Sequence, residues 1–389
     1  MISPALLDAR VDHHREALSD LARTLHENPE LRYEEHRACA WITELLERTG
    51  ATVERKTGGL DTAFRARAGT GGARVAILAE YDALPEIGHA CGHNLIAAGA
   101  VGAFLALRDL ASELPGTVEL IGTPAEEGGG GKIKLLDAGV FEGLDAAMMF
   151  HPFNHDILMH PALASTWLDM IFRGSPSHAA AAPWDGASAL TACLDTFRLI
   201  DGQRVHFHDG VRVHGFVKDG GQAVNIIPER AQAEFSVRAA SVGELARVRA
   251  IVERCARGAA LASGVEVEIT VRQGYKDMVN NVALAQRFGA HMASLGRPSA
   301  ERLPSLGAGS TDMGDVSHAV PSIHPYVAIC APDETTIHQR PFAAIAGGER
   351  GTSAMLLAAK ALARTALDVL SDAALLSAAK TEFAAARGL

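Results

Sequence analysis

The stretch GHACGHN, residues 88–94, places His89 and His93 on either side of Cys91. Cysteine and histidine at this spacing can ligate a borderline metal or pair as nucleophile and base. A disulfide is the third use of a cysteine. The five cysteines (Cys39, Cys91, Cys193, Cys255, Cys330) are scattered and odd in number, which is no disulfide framework. Cys91 and His93 lie two residues apart, so both can face one side of an extended segment, with Gly92 leaving room between them. Further on, TPAEEGGGGK sets Glu126 beside Glu127 and follows them with four glycines, 128–131. Adjacent carboxylates on an extended chain point apart. One can hold a metal while its neighbour reaches a water, which is the division of labour in metal-assisted hydrolysis. A phosphate cradle is the rival reading of GGGGK, but the P-loop spacing and the Ser/Thr after the lysine are missing.

These residues need elements to position them. ARVAILAEYD (73–82), GTVELIGTPAEE (116–127), LDAAMMFHP (144–152) and HPYVAICAPD (324–333) each carry a short apolar run followed by polar or ionisable residues. Runs apolar on both faces predict buried strands of a largely parallel, helix-covered sheet. In such a sheet ligands bind beyond the carboxyl ends of the strands. The residues found there are Glu80 and Asp82, then Glu126 and Glu127, then His151, then Asp333, Glu334 and His338. GHACGHN lies between the first strand and an apolar helix at 94–110, so five segments bring metal-capable side chains to one rim. Long amphipathic helices are expected over LLDARVDHHREALSDLARTLHENPEL and EEHRACAWITELLERTG, and a further helix over GTSAMLLAAKALARTALDVL. His13, His14, His206 and His208 read as solvated, and the cysteines other than Cys91 as core.

Residues 164–273 follow a different grammar. Alternating strands and two helices succeed one another as β-α-β-β-α-β, a ferredoxin-like unit inserted into the first domain. The fold class is therefore α/β: residues 1–163 and 274–389 form a metal-binding catalytic domain, and 164–273 a lid or dimerisation domain. The 389 residues suffice for two domains. A net charge of −10 without a Lys/Arg cluster argues against nucleic acid or anionic membrane as partners. No apolar run is long enough to span a bilayer, and the first residues do not read as a signal peptide, so a cytoplasmic location is expected.

GHACGHN, TPAEEGGGG, GSPSHAAAAPWDGASAL, VNIIPERAQAEFSVRA, GSTDMGDVSH and TIHQRPF occur in an order that resembles the M20 metallopeptidase/aminoacylase family. The wording is most similar to its dipeptidase-like amidohydrolase subgroup, that of peptidase M20 domain-containing protein 2, and also to the aminobenzoyl-glutamate hydrolases. The resemblance implies a zinc-peptidase-like α/β domain with a ferredoxin-like insertion. It implies that Cys91, His93, Glu127, His151 and His338 bind metal and that Glu126 is the general base. It further implies that Asp82 supports the site from behind, that His178 of the inserted domain acts in catalysis and that Asn225 contacts substrate. One or two divalent ions per subunit are implied, zinc first, with manganese or cobalt as alternatives. So are a small amide substrate (an N-acyl amino acid, a dipeptide or an aminobenzoyl-glutamate-like compound) and a homodimer built through the inserted domain. Many relatives carry aspartate where this chain has Asn94 and glutamate where it has Thr311. Alternative readings are an activated non-peptide C–N or C–Cl bond as substrate, or a non-catalytic binding protein that keeps the fold.

Overall fold

The computed structural model describes residues 2–304 and 306–386. The chain divides into two compact units, Met1–Pro161 with Met278–Leu389, and Ala162–Asp277. The insertion thus extends a few residues beyond the expected 164–273 at each end.

The first unit begins with helices α1 (Pro4–His13), α2 (Arg15–Glu27) and α3 (His36–Arg48). The single helix expected at the N-terminus is two, broken at His14, whose φ is −90° and ψ 1°. His14 is also not solvated: its Nε2 lies 2.9 Å from Asp109 Oδ2. Two strands escaped the apolar-run pattern, β1 (Val53–Arg55) and β2 (Phe64–Gly69). The signal in β2 was alternation: Phe64, Ala66 and Ala68 are buried while Arg67 is exposed. The expected strands β3 (Arg74–Ala79) and β4 (Thr117–Gly122) follow, with α4 (His93–Arg108) between them. Helix α4 is apolar all round and buried along nearly its whole length, as such a helix must be. Phe104, Leu105 and Leu107 are wholly buried, each contributing about 1.5–3 kcal/mol of apolar burial. Helix α5 (Gly131–Asp137) and the short strands β5 (Ala146–Met148) and β6 (His151–Phe153) complete this half.

The inserted unit runs β7 (Ala164–Arg173), α6 (Ala189–Gln203), β8 (Arg212–Asp219), β9 (Arg230–Ala239), α7 (Val242–Ala262) and β10 (Glu266–Gln273). Its sheet order is β10-β7-β9-β8, antiparallel throughout, which is the ferredoxin-like arrangement. The strict alternation of β9, buried at every second residue, turns Ala231, Ala233, Phe235 and Val237 onto the two helices.

The chain then re-enters the first unit through α8 (Val282–Ser294), α9 (Met313–Ser317), β11 (Ser322–Ile323), β12 (Tyr326–Ala328), α10 (Arg340–Ala346), α11 (Glu349–Ser371) and α12 (Ala373–Ala386). The main sheet has the order β1-β2-β4-β3-β5-β11. From β4 to β11 the neighbours are parallel, and β1, β2 and β4 are antiparallel. The apolar run 324–333 is not one of its strands, contrary to expectation. Tyr326–Ala328 pairs in parallel with His151–Phe153 as a separate two-stranded ladder, and the sheet is closed instead by the brief Ser322–Ile323. Pro321 and Pro325 bracket this strand in the sequence and keep it short.

Candidate metal centre

The loops beyond β3 and β4, the first residue of β6 and the segment before α10 converge. Cys91, His93 and His151 present one ligand atom each, all within 4.8 Å of one another, and so do Cys91, Glu127 and His338, and His93, Glu126 and Glu127. All five expected metal-ligand candidates and the expected base therefore meet in one cluster, and Cys91 is shared between two of its triads. Asp333 and Glu334 of the same short list do not join; Glu334 pairs with Arg350 at 2.8 Å. His89 is also outside it, ring-stacked on His26 at 6.4 Å, with burial pushing its imidazole down to about 3.

The segment carrying Cys91 and His93 is not extended. Gly92 caps α4 at φ +80°, and His93 is the first residue of the helix. Gly92 does more than leave room for a metal: a Cβ there would lie 2.9 Å from Pro152, beside His151. The left-handed conformation and this close approach both require glycine, and together they bring Cys91 Sγ to 3.3 Å from His151 Nε2.

Each imidazole is oriented from behind. His93 Nδ1 lies 2.8 Å from the Asp82 carbonyl oxygen and 3.1 Å from its Oδ1, and Asp82 Oδ2 accepts the Glu127 N–H at 2.9 Å. His151 Nδ1 lies 2.7 Å from the Pro152 carbonyl oxygen. In both rings the inner nitrogen faces only acceptors, so it carries the proton of the neutral imidazole, and in that form Nε2 offers a lone pair. His338 lies 3.4 Å from Glu127 Oε1 and is held at φ +63° by its own N–H donating to Ala90 O. Ala125, just before Glu126, has φ +61°. Strained backbone at two positions of one site is where positioned chemistry is commonly found.

Glu126 is buried, and burial pushes its carboxyl well above the ordinary range, with the negative charges of Glu127, Glu80 and Asp312 adding to the effect. His93 Nε2 and Glu127 Oε1 are buried without a hydrogen-bond partner. Thiol, imidazole and carboxylate donors with orphaned atoms turned together are a donor set for divalent zinc-like ions, so the residues present fit such a metal.

Several contributors were missed in the sequence. Arg32 Nη1 donates to Glu127 O at 3.0 Å, Tyr33 Oη to Gly129 O at 2.5 Å, and the buried Glu35 Oε1 accepts the Ala125 N–H at 2.8 Å. No spacing in LRYEEH announces this role. Gly131 closes the same loop, where a Cβ would collide with Pro124 O at 1.7 Å. Asn94 explains its departure from aspartate: its amide donates to Ala22 O and Ala346 O, a task a carboxylate cannot perform. Thr311 Oγ1 accepts the Met313 N–H at 3.1 Å, at the start of α9.

Within the inserted unit, His178 and Asn225 are neighbours. His178 bridges Ile226 in antiparallel fashion, and Ala179 N–H donates to Asn225 O at 3.0 Å. Both side chains are exposed. His178 Nδ1 accepts from the N–H groups of Ala180 and Ala181, which leaves the Nε2 proton directed outward as a donor in the neutral ring.

Residues 76–368 match the family model described as Peptidase family M20/M25/M40. The chain is 39% identical over 391 residues to the Xaa-Arg dipeptidase of Mus musculus, covering 96% of this chain and 90% of that protein. It is 30% identical over 318 residues to a p-aminobenzoyl-glutamate hydrolase polypeptide of Escherichia coli, covering 75% of this chain and 65% of that one. A dinuclear metal-binding M20 peptidase of Bacillus subtilis shares the fold, with a TM-score of 0.72 at 23% identity over 92% of this chain and 99% of that one. The cluster of thiol, imidazole and carboxylate groups at the sheet rim thus sits in a chain that belongs to the M20/M25/M40 peptidase family and is a metallohydrolase.

Proposed function

We propose that this protein is a dipeptidase-like amidohydrolase that cleaves the amide bond of a small substrate, and that the general base is Glu126. The observation that carries the reading is the buried Glu126 carboxyl set against His93 and Glu127 within a Cys/His/Glu cluster. Cys91, His93, Glu127, His151 and His338 would hold one or two divalent ions, zinc first. Such ions supply Lewis acidity that polarises a carbonyl and acidifies water.

The protein's own groups do the rest. Glu126 takes a proton from the attacking water at a carboxylate oxygen as the new O–C bond forms. When the C–N bond breaks, the same carboxyl returns that proton to the leaving amine nitrogen. Asp82 keeps the His93 ring turned and the Glu127 backbone fixed throughout. His178 donates its Nε2 proton to the carbonyl oxygen as negative charge develops there, and Asn225 contacts the substrate. The inserted unit would also join two subunits: its outer strand β8 leaves Phe216 and Val217 exposed. The five cysteines are all free, which supports a cytoplasmic setting. Among the described residues no helix is long and apolar enough to cross a membrane.

The mouse relative's name points to dipeptides ending in arginine as the first substrates to test. The test is a hydrolysis panel of such dipeptides, other dipeptides and N-acyl amino acids with zinc, manganese and cobalt. We expect metal-dependent cleavage within the panel, abolished by a chelator. A metal-loaded, folded protein that cleaves none of them would overturn the substrate class.

A further inference from the structure

Lys132 ends the GGGGK motif, but it is no phosphate-binding lysine. Its side chain is fully buried, and Nζ donates to Glu80 Oε1 at 2.5 Å and Asp312 Oδ1 at 2.6 Å. Its backbone N–H donates to Asp312 Oδ2 at 3.0 Å. One ammonium therefore ties the end of β3 to the starts of α5 and α9. Two carboxylates against one ammonium leave a net negative charge inside the protein, which is costly unless another cation is near.

The second oxygen of Glu80 shows where that cation belongs. Glu80 Oε2 is buried without a hydrogen-bond partner, and it lies 3.5 Å from His93 Nε2, which also has none. His93 Nδ1 faces two Asp82 oxygens and so holds the ring proton of the neutral imidazole. Two buried polar atoms thus face each other with no hydrogen bond to either, and a cation shared between them would satisfy both. Two ligands of one tetrahedral ion, each bonded at about 2.0–2.1 Å, stand about 3.4 Å apart, in keeping with this separation. We infer that Glu80 is an additional ligand of the divalent ion held by His93, and that Lys132 is the positioning residue that turns its carboxylate there.

This rests on the metal-centre reading above, and the test separates the two. Apo-protein is prepared with a chelator and titrated with cobalt(II) alone, against a chromophoric competitor, while the visible cobalt bands report coordination. Glu80→Gln keeps an oxygen for Lys132 and turns an N–H toward His93 Nε2. We expect it to bind one ion about 10–100-fold more weakly, with altered cobalt bands and an unchanged circular dichroism spectrum. Glu80→Asp keeps the charge but withdraws the oxygen, and is scored in the same way if the glutamine variant does not fold. Wild-type affinity and wild-type cobalt bands in the folded variant would overturn the Glu80 assignment alone and leave a proton on His93 as the bridge. A wild-type protein that binds no cobalt would overturn both the assignment and the metal-centre reading.

Discussion

Gly92 is the residue on which the site's closeness turns. It stands between two candidate ligands, takes a left-handed conformation at φ +80°, and lets the start of α4 approach Pro152. An L-residue pays roughly 1–2 kcal/mol for that conformation, and alanine's Cβ would also press on Pro152 at 2.9 Å. Gly92→Ala should therefore lower the midpoint of thermal unfolding and reduce the metal retained after dialysis, because Cys91 and His93 are moved relative to His151. Unchanged stability together with full metal content would show that the close approach is not needed. The sequence placed Cys91 and His93 correctly as a pair but drew the segment as extended. Positive φ at one glycine, and the helix beginning at His93 instead of after it, depend on a contact with Pro152, sixty residues away.

At the scale of elements, the turn bearing Glu126 and Glu127 is held by a segment remote in sequence. Glu30, Arg32, Tyr33 and Glu35 all bond to the loops that carry Asp82 and the two glutamates. Glu35 is the buried member. Its carboxyl accepts the Ala125 N–H and the Thr62 hydroxyl, and burial, with the Asp82 charge adding, pushes it from 4.5 to about 7. The folded protein then holds this proton more tightly than the unfolded chain. The stabilisation is fully present below pH 4.5 and is lost as pH rises through about 7. Glu35→Gln keeps an acceptor for Ala125 and titrates nothing. Thermal unfolding followed between these two pH values should show wild-type stability declining with pH more steeply than that of the variant; parallel profiles would refute the assignment. No pattern in the sequence announced this segment, because its work is done by hydrogen bonds to a loop about ninety residues on. The apolar runs were legible for the opposite reason. Burial on both faces of β3, β4 and β5 writes itself directly into composition. Alternation in β2 was equally available, whereas the two-residue β11 is too short to leave a pattern and its place was given to the run that forms β12.

The whole molecule separates chemistry from its surroundings. The first unit builds the cluster at the sheet rim, and the inserted unit brings His178 and Asn225 together at an isolated bridge outside its strands. The ferredoxin-like insertion was readable from strand and helix order, and the cluster from residue types beyond strand ends. What remained hidden was the buried charge network of Lys132, Glu80 and Asp312, whose members are separated by 52 and 180 residues. The proposed division of labour has Glu126 moving the proton while its neighbours hold the metal. The most direct measurement is metal content and turnover of Glu126→Gln on a small amide that the wild-type protein cleaves. We expect wild-type metal stoichiometry with turnover reduced by about 10²–10⁴-fold. Full activity in the metal-loaded variant would contradict it.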